Sequence, residues 1–138
     1  MLPEYEGIFN QSIDGAFDSV NYPRPALFEH HGNRFVFAST ETIFHLLSHI
    51  SFTVTRHDED DGSVTLSADA LDIVSCGIDM QDARTALAKD ILEYAVEYYQ
   101  NYEVYSLAPN RKAHLPYVIK ALAADSLEQL ENAVVCRL

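Results

Sequence analysis

Residues 71–102 read LDIVSCGIDMQDARTALAKDILEYAVEYYQNY: a strand, a glycine corner and one long helix. Asp79 is a good N-cap, because its carboxylate can accept from the free backbone N–H groups of the first turn. Asp82 adds negative charge where the helix dipole favours it. From there Ala83, Leu87, Ile91, Ala95, Tyr98 and Tyr102 recur close to every fourth residue, flanked by Ala88, Leu92 and Tyr99. This is a broad apolar face on a helix of roughly six turns. Asp82, Arg84, Lys89, Asp90, Glu93 and Glu97 largely take the other side. Nothing else in the chain is as long or as periodic, so the remaining elements are expected to pack around it.

The strands are read by alternation. Ser51–Arg56 has period two, which turns Phe52 and Val54 toward a core. Asp58, Glu59, Asp60, Asp61 and Gly62 form a turn, and Val64, Leu66 and Ala68 alternate with Ser63, Thr65 and Ser67 on the return. A third strand near Leu71–Ser75 leads into the long helix. Upstream, Asn33–Ala38 reads as a short strand. Ser39 or Thr40 caps a helix with Ile43, Leu46, Leu47 and Ile50 on one face. Downstream, Pro116 opens a helix to about Ala124. Ser126–Gln129 fits a capping box, and Val134–Cys136 is an extra strand. Residues 1–32 are the least readable. Ile13, Ala16, Phe17 and Val20 have helical spacing, weakened by Gly15, before Pro23 and Pro25 interrupt regular structure. The expected fold is α+β, with a small antiparallel sheet, a three-strand meander plus an extra strand, packed against a long helix. It is expected as one domain over 1–138, with a core at 33–107 and a helical extension at 108–138.

Composition narrows the function. Hydrophobic residues make up 48% of 138, enough for a sizeable core. The acidic start lacks the pattern of a signal peptide, and no apolar stretch is long enough to cross a bilayer. Cys76 and Cys136 do not make a disulfide framework, so a reducing cytoplasm is expected. Nine Lys and Arg stand against 21 Asp and Glu, a net charge of −12. Nucleic acid is a poor partner for such a surface, whereas a basic protein would be attracted and steered. Acidity also serves solubility alone.

No catalytic pattern emerges. His45 and His49 are one helical turn apart, but Leu46 follows His45, so the zinc-protease motif is absent and both are expected on the solvent side. His30 and His31 sit in a loop. The run Asp58–Asp61 misses EF-hand spacing, because the first and twelfth loop positions fall on His57 and Ala68. No nucleophile elbow, phosphate loop or dinucleotide fingerprint occurs. No metal or cofactor is expected. Tyr94 and Tyr99 are candidate interface anchors.

The run Phe52–Val54, Asp60–Leu66, Leu71–Val74 and Gly77–Ala83 resembles the HicB-like antitoxins of bacterial toxin–antitoxin pairs. In those domains a short meander meets a glycine corner and a capped helix with alanine in its first turn. Here Gly77, Asp79 and Asp82 match that corner. The runs Tyr94–Tyr99 and Ala108–Tyr117 resemble longer antitoxin-like relatives, and Ser39–Ile50 resembles the helix of prevent-host-death-type antitoxins. The resemblance implies a non-catalytic inhibitor that covers a small, basic ribonuclease toxin. Its expected contacts are Tyr94 and Tyr99 together with Asp58, Glu59, Asp60 and Asp61, whose carboxylates project from the turn without mutual neutralisation. A homo-oligomer stays open. DNA binding is unsupported, as no ribbon-helix-helix or basic helix-turn-helix follows. Two other classes remain: an RNA-binding module of helix–meander–helix order, which needs a basic face, and a small enzyme with scattered His, Asp and Cys.

Overall fold

The computed structural model describes residues 24–137, so the helical spacing at residues 12–20 lies outside the described part. The described chain begins with a hairpin of β1 (Ala26–His30) and β2 (Asn33–Phe37). The pairing of His30 with Asn33 leaves His31 and Gly32 as the loop. Both have positive φ, 50° and 77°, as a tight hairpin turn with the twist of its strands requires. Phe28 meets the rings of Phe37 and Phe35 at 5.5 and 6.4 Å. The strand at 33–37 is present as expected, but among the described residues it pairs within this separate two-stranded sheet.

Helix α1 (Thr40–Leu46) is capped by Ser39, whose hydroxyl accepts from the Thr42 N–H at 3.1 Å. It is shorter than its apolar spacing suggests. Leu46, expected in the core, is 61% exposed; among the described residues α1 packs chiefly against one later helix. His49 lies in the turn beyond the helix. The buried Lys120 ammonium closes that turn by donating to the Leu47 carbonyl at 3.1 Å and to the Ile50 carbonyl. A cation suits the carbonyl end of a helix.

The main sheet runs β5 (Ile73–Gly77), β4 (Val64–Ala68), β3 (Phe52–Asp58), β6 (Val134–Cys136). Strands β3, β4 and β5 form the antiparallel meander, while β6 pairs with β3 in parallel. The sheet is therefore mixed. Phe52, Val54, Val64, Leu66 and Ala68 all face the core, as their alternation requires. The third strand starts two residues late, since Asp72 takes a left-handed φ of 56° in the preceding turn.

Helix α2 (Met80–Gln100) lies across this sheet and buries Ala83, Leu87, Ala88, Ile91, Ala95 and Tyr98. Asn101 ends it, its side-chain amide donating to the Glu97 carbonyl at 2.9 Å. Tyr102 therefore opens a separate turn, α3 (Tyr102–Tyr105), and stands 44% exposed instead of extending the core face. Leu92 and Tyr99, the expected flanks, are also exposed. After a 3₁₀ turn at Lys112–His114 come α4 (Leu115–Leu122) and α5 (Leu127–Asn132). Helix α4 packs on α2 through Val118 and Ala121. The capping box opens α5: Ser126 Oγ accepts from Gln129 N at 3.1 Å, and Gln129 Oε1 accepts from Asp125 N at 2.7 Å. Arg84, expected on the solvent side, instead donates to the carbonyls of Glu131 at 3.2 Å and Val134 at 2.8 Å, fastening α2 to β6.

Candidate functional site

The glycine corner is built by contact. A Cβ on Gly77 would lie 2.6 Å from the Asp82 carbonyl carbon and 2.8 Å from Ala83 Cα, so β5 meets the first turn of α2 backbone to backbone. Only glycine permits that approach. Asp79 Oδ1 accepts from Asp82 N at 2.8 Å, and Asp82 Oδ2 accepts from Ile78 N at 2.9 Å. The two carboxylates thus satisfy donors on either side of the helix start, and the helix dipole favours both.

The acidic turn is more occupied than its sequence suggests. Arg56 donates to Asp58 Oδ1 through Nε at 3.1 Å and Nη2 at 2.9 Å. Asp61 Oδ1 accepts from Ser63 Oγ at 2.6 Å and from Ser63 N at 2.9 Å, and these bonds hold its carboxyl below the ordinary value. Asp58 therefore has a cation beside it and Asp61 shapes the turn. Glu59 and Asp60 are exposed at the tip.

The register places this tip far from the two tyrosines. Asp58 pairs with Val64, and Val64 with Gly77, so the tip stands at the end of the sheet where α2 begins. At 1.5 Å per residue, Tyr94 and Tyr99 lie about 21 and 28 Å along α2 from Met80. The six expected contact residues do not form one patch.

Tyr94 and Tyr99 also differ from each other. Tyr94 is half-buried, with its hydroxyl 2.6 Å from His114 Nδ1 and its ring edge-on to Tyr98 at 6.1 Å. Arg111 lies 4.3 Å from the Tyr105 ring centre and 5.7 Å from that of Tyr94. Tyr98 donates to the Arg111 carbonyl at 3.2 Å, and Tyr105 donates to Glu97 at 2.8 Å. Burial raises the Tyr94 pKa and lowers that of His114. This network braces the segment after α3 against α2. Tyr99 is 70% exposed and borders an apolar hollow of about 620 Å³ with Ile119 and Leu122. No local pattern marked Arg111, His114 or Ile119. Ile119 could have been noticed as an apolar residue opposite the buried Val118–Ala121 side of α4.

Five of the nine cationic side chains have a partner within the chain, although six of the nine are exposed. Of nine, Arg84 and Lys120 bind backbone carbonyls, Arg111 stacks on tyrosines, and Arg56 and Arg137 face Asp58 and Asp69 at 2.9 and 3.6 Å. His45 and His49 are exposed, and the His30 and His31 rings meet at 4.0 Å in the hairpin turn. Among the described residues no group of three or more His, Cys, Asp or Glu could hold a metal. Cys76 and Cys136 are free thiols on opposite edge strands. Among the described residues no helix is long and apolar enough to cross a membrane.

Residues 9–136 match the PHD-like family model, described as antitoxin of toxin–antitoxin, RelE/RelB, TA system. No curated protein matches. Among solved structures, one from Syntrophomonas wolfei subsp. wolfei, the antitoxin part of a candidate toxin/antitoxin system, is similar. It is 26% identical with a TM-score of 0.78, covering 97% of this chain and 94% of that one.

Proposed function

The chain belongs to the PHD-like family of antitoxins of toxin–antitoxin systems, and from that premise we propose that it inhibits a basic ribonuclease toxin by stoichiometric occlusion. Antitoxins of this family have a cognate toxin and no catalysis of their own. The observation that carries the finer reading is the distribution of charge. The chain has a net charge of −12, and five of its nine cations are engaged with internal carbonyls, rings or neighbouring carboxylates. An RNA-binding surface on a toxin must be basic, and carboxylates around an apolar centre are its complement. The RelE/RelB description of the family is consistent with such a toxin.

The HicB-like reading of the meander and its corner belongs to this proposal. It is supported by the close approach at Gly77 and the paired caps at Asp79 and Asp82. A cytoplasmic location, where a ribonuclease would meet its RNA, goes with the same reading. Glu59 and Asp60 at the hairpin tip steer the toxin, and Tyr99 contributes contact area. The test is co-expression with the product of the adjacent reading frame, followed by pull-down and a growth assay. Growth arrest by the neighbour alone, relieved by this chain in a stable complex, supports the proposal. No basic protein co-purifying, together with substrate turnover by the purified chain, overturns it.

A further inference from the structure

We propose that the groove between the outer flank of α2 and α4 receives an amphipathic, basic helix of the toxin; this rests on the antitoxin reading above. The groove holds the hollow of about 620 Å³, lined by Tyr99, Tyr102, Glu103, Leu115, Ile119 and Leu122 among others. A second apolar hollow of about 360 Å³ lies between α1 and α4 and shares Leu115 and Ile119 with the first. Ile43, Leu46 and Leu47 extend the apolar surface there. Along α2, Leu92 and Val96 are exposed on the same flank as Tyr99. Ile119 forms the ridge between the hollows and is 40% exposed. So much contiguous apolar surface marks an interaction site more than a solvated face.

Shape and charge select the occupant. The flank along α2 from Leu92 to Gln100 is about 12 Å long, the length of about two helical turns, and Tyr102 and Glu103 on α3 carry it on. Its walls are helices whose backbone groups are already paired, so an added strand would find no ladder there, whereas a helix needs only side-chain complementarity. Among the described residues Glu103 is the one acidic side chain lining the larger hollow, and neither Lys nor Arg lines it or its neighbour. A helix with an apolar stripe flanked by Lys or Arg would satisfy both. A second copy of this chain would set Glu103 and a −12 surface against their own kind.

The test uses the full chain co-expressed with the adjacent toxin. Tyr99→Glu and Ile119→Glu replace exposed residues and are expected to keep the wild-type melting temperature while weakening toxin binding about 30-fold or more, as loss of an interface anchor does. Glu103→Lys is expected to weaken binding less, with the difference shrinking at high salt. A photo-crosslinking phenylalanine analogue at position 99 identifies the occupant directly. Crosslinking to a helical, Lys- or Arg-bearing toxin segment supports the groove. Crosslinking to a second copy, to residues 1–23 of this chain, or to a strand of the toxin overturns it. Wild-type affinity in Tyr99→Glu and Ile119→Glu overturns the groove alone, whereas no binding by the wild-type chain overturns the antitoxin reading with it.

Discussion

The hydroxyl of Tyr94 lies 2.6 Å from Nδ1 of His114, joining the middle of α2 to the 3₁₀ turn before α4. Burial holds the His114 pKa below the ordinary 6.5, with Asp72 partly offsetting and Arg111 adding to the shift. The unfolded chain therefore binds more protons than the folded one between the lowered value and 6.5. Stability from this group rises with pH through that window and is lost on acidification. The drop in melting temperature between pH 7 and pH 5 is expected to be smaller in His114→Asn, which keeps an acceptor for Tyr94 without titrating. An identical drop in both proteins would count against His114 as a contributor.

Leu87 and Ile91 are at most 1% exposed and lie between α2 and the sheet. Either one changed to Ala is expected to cost about 2–5 kcal/mol, the range for buried large-to-small changes. Denaturant unfolding measures it. An unchanged midpoint would mean that α2 is not the core element.

Gly77→Ala places a methyl group against the backbone of Asp82 and Ala83. Neither can yield without moving the capped first turn, so a loss of about 1–3 kcal/mol or more is expected, as for overpacking. Asp79→Ala removes one cap bond and should cost about 1 kcal/mol. A larger loss for Asp79→Ala than for Gly77→Ala would contradict the close-approach account.

At the hairpin tip, Glu59→Gln with Asp60→Asn is expected to slow toxin association more than it speeds dissociation. Exposed charges act mainly on the encounter and are screened beyond about 8 Å at physiological ionic strength. Stopped-flow binding at low and high salt tests this, and a salt-independent effect on dissociation would refute it. Asp61→Asn behaves differently, because Asp61 holds Ser63 through two hydrogen bonds. It should loosen the turn as well as lower the charge.

Features set by neighbours in the chain were legible in the sequence. The cap at Asp79, the carboxylate at Asp82, the capping box at Ser126–Gln129 and the alternation of Phe52–Val54 and Val64–Ala68 each depend on groups within a few residues. Local backbone geometry brings those groups together whatever surrounds them, and the α+β class follows from their periods. Tertiary structure decided what depends on which layer covers a face. It paired 33–37 with a strand hidden behind two prolines and set β6 parallel to β3. It left Leu46 uncovered, turned Arg84 inward to the carbonyls of Glu131 and Val134, and gave Tyr94 a partner in His114. The acidic tip and Tyr99 are separated for the same reason: strand register and helix direction set their distance, and neither is encoded in residue type. Burial and long-range hydrogen bonds are properties of the assembled layers, so a periodic apolar position specifies a face without specifying its cover.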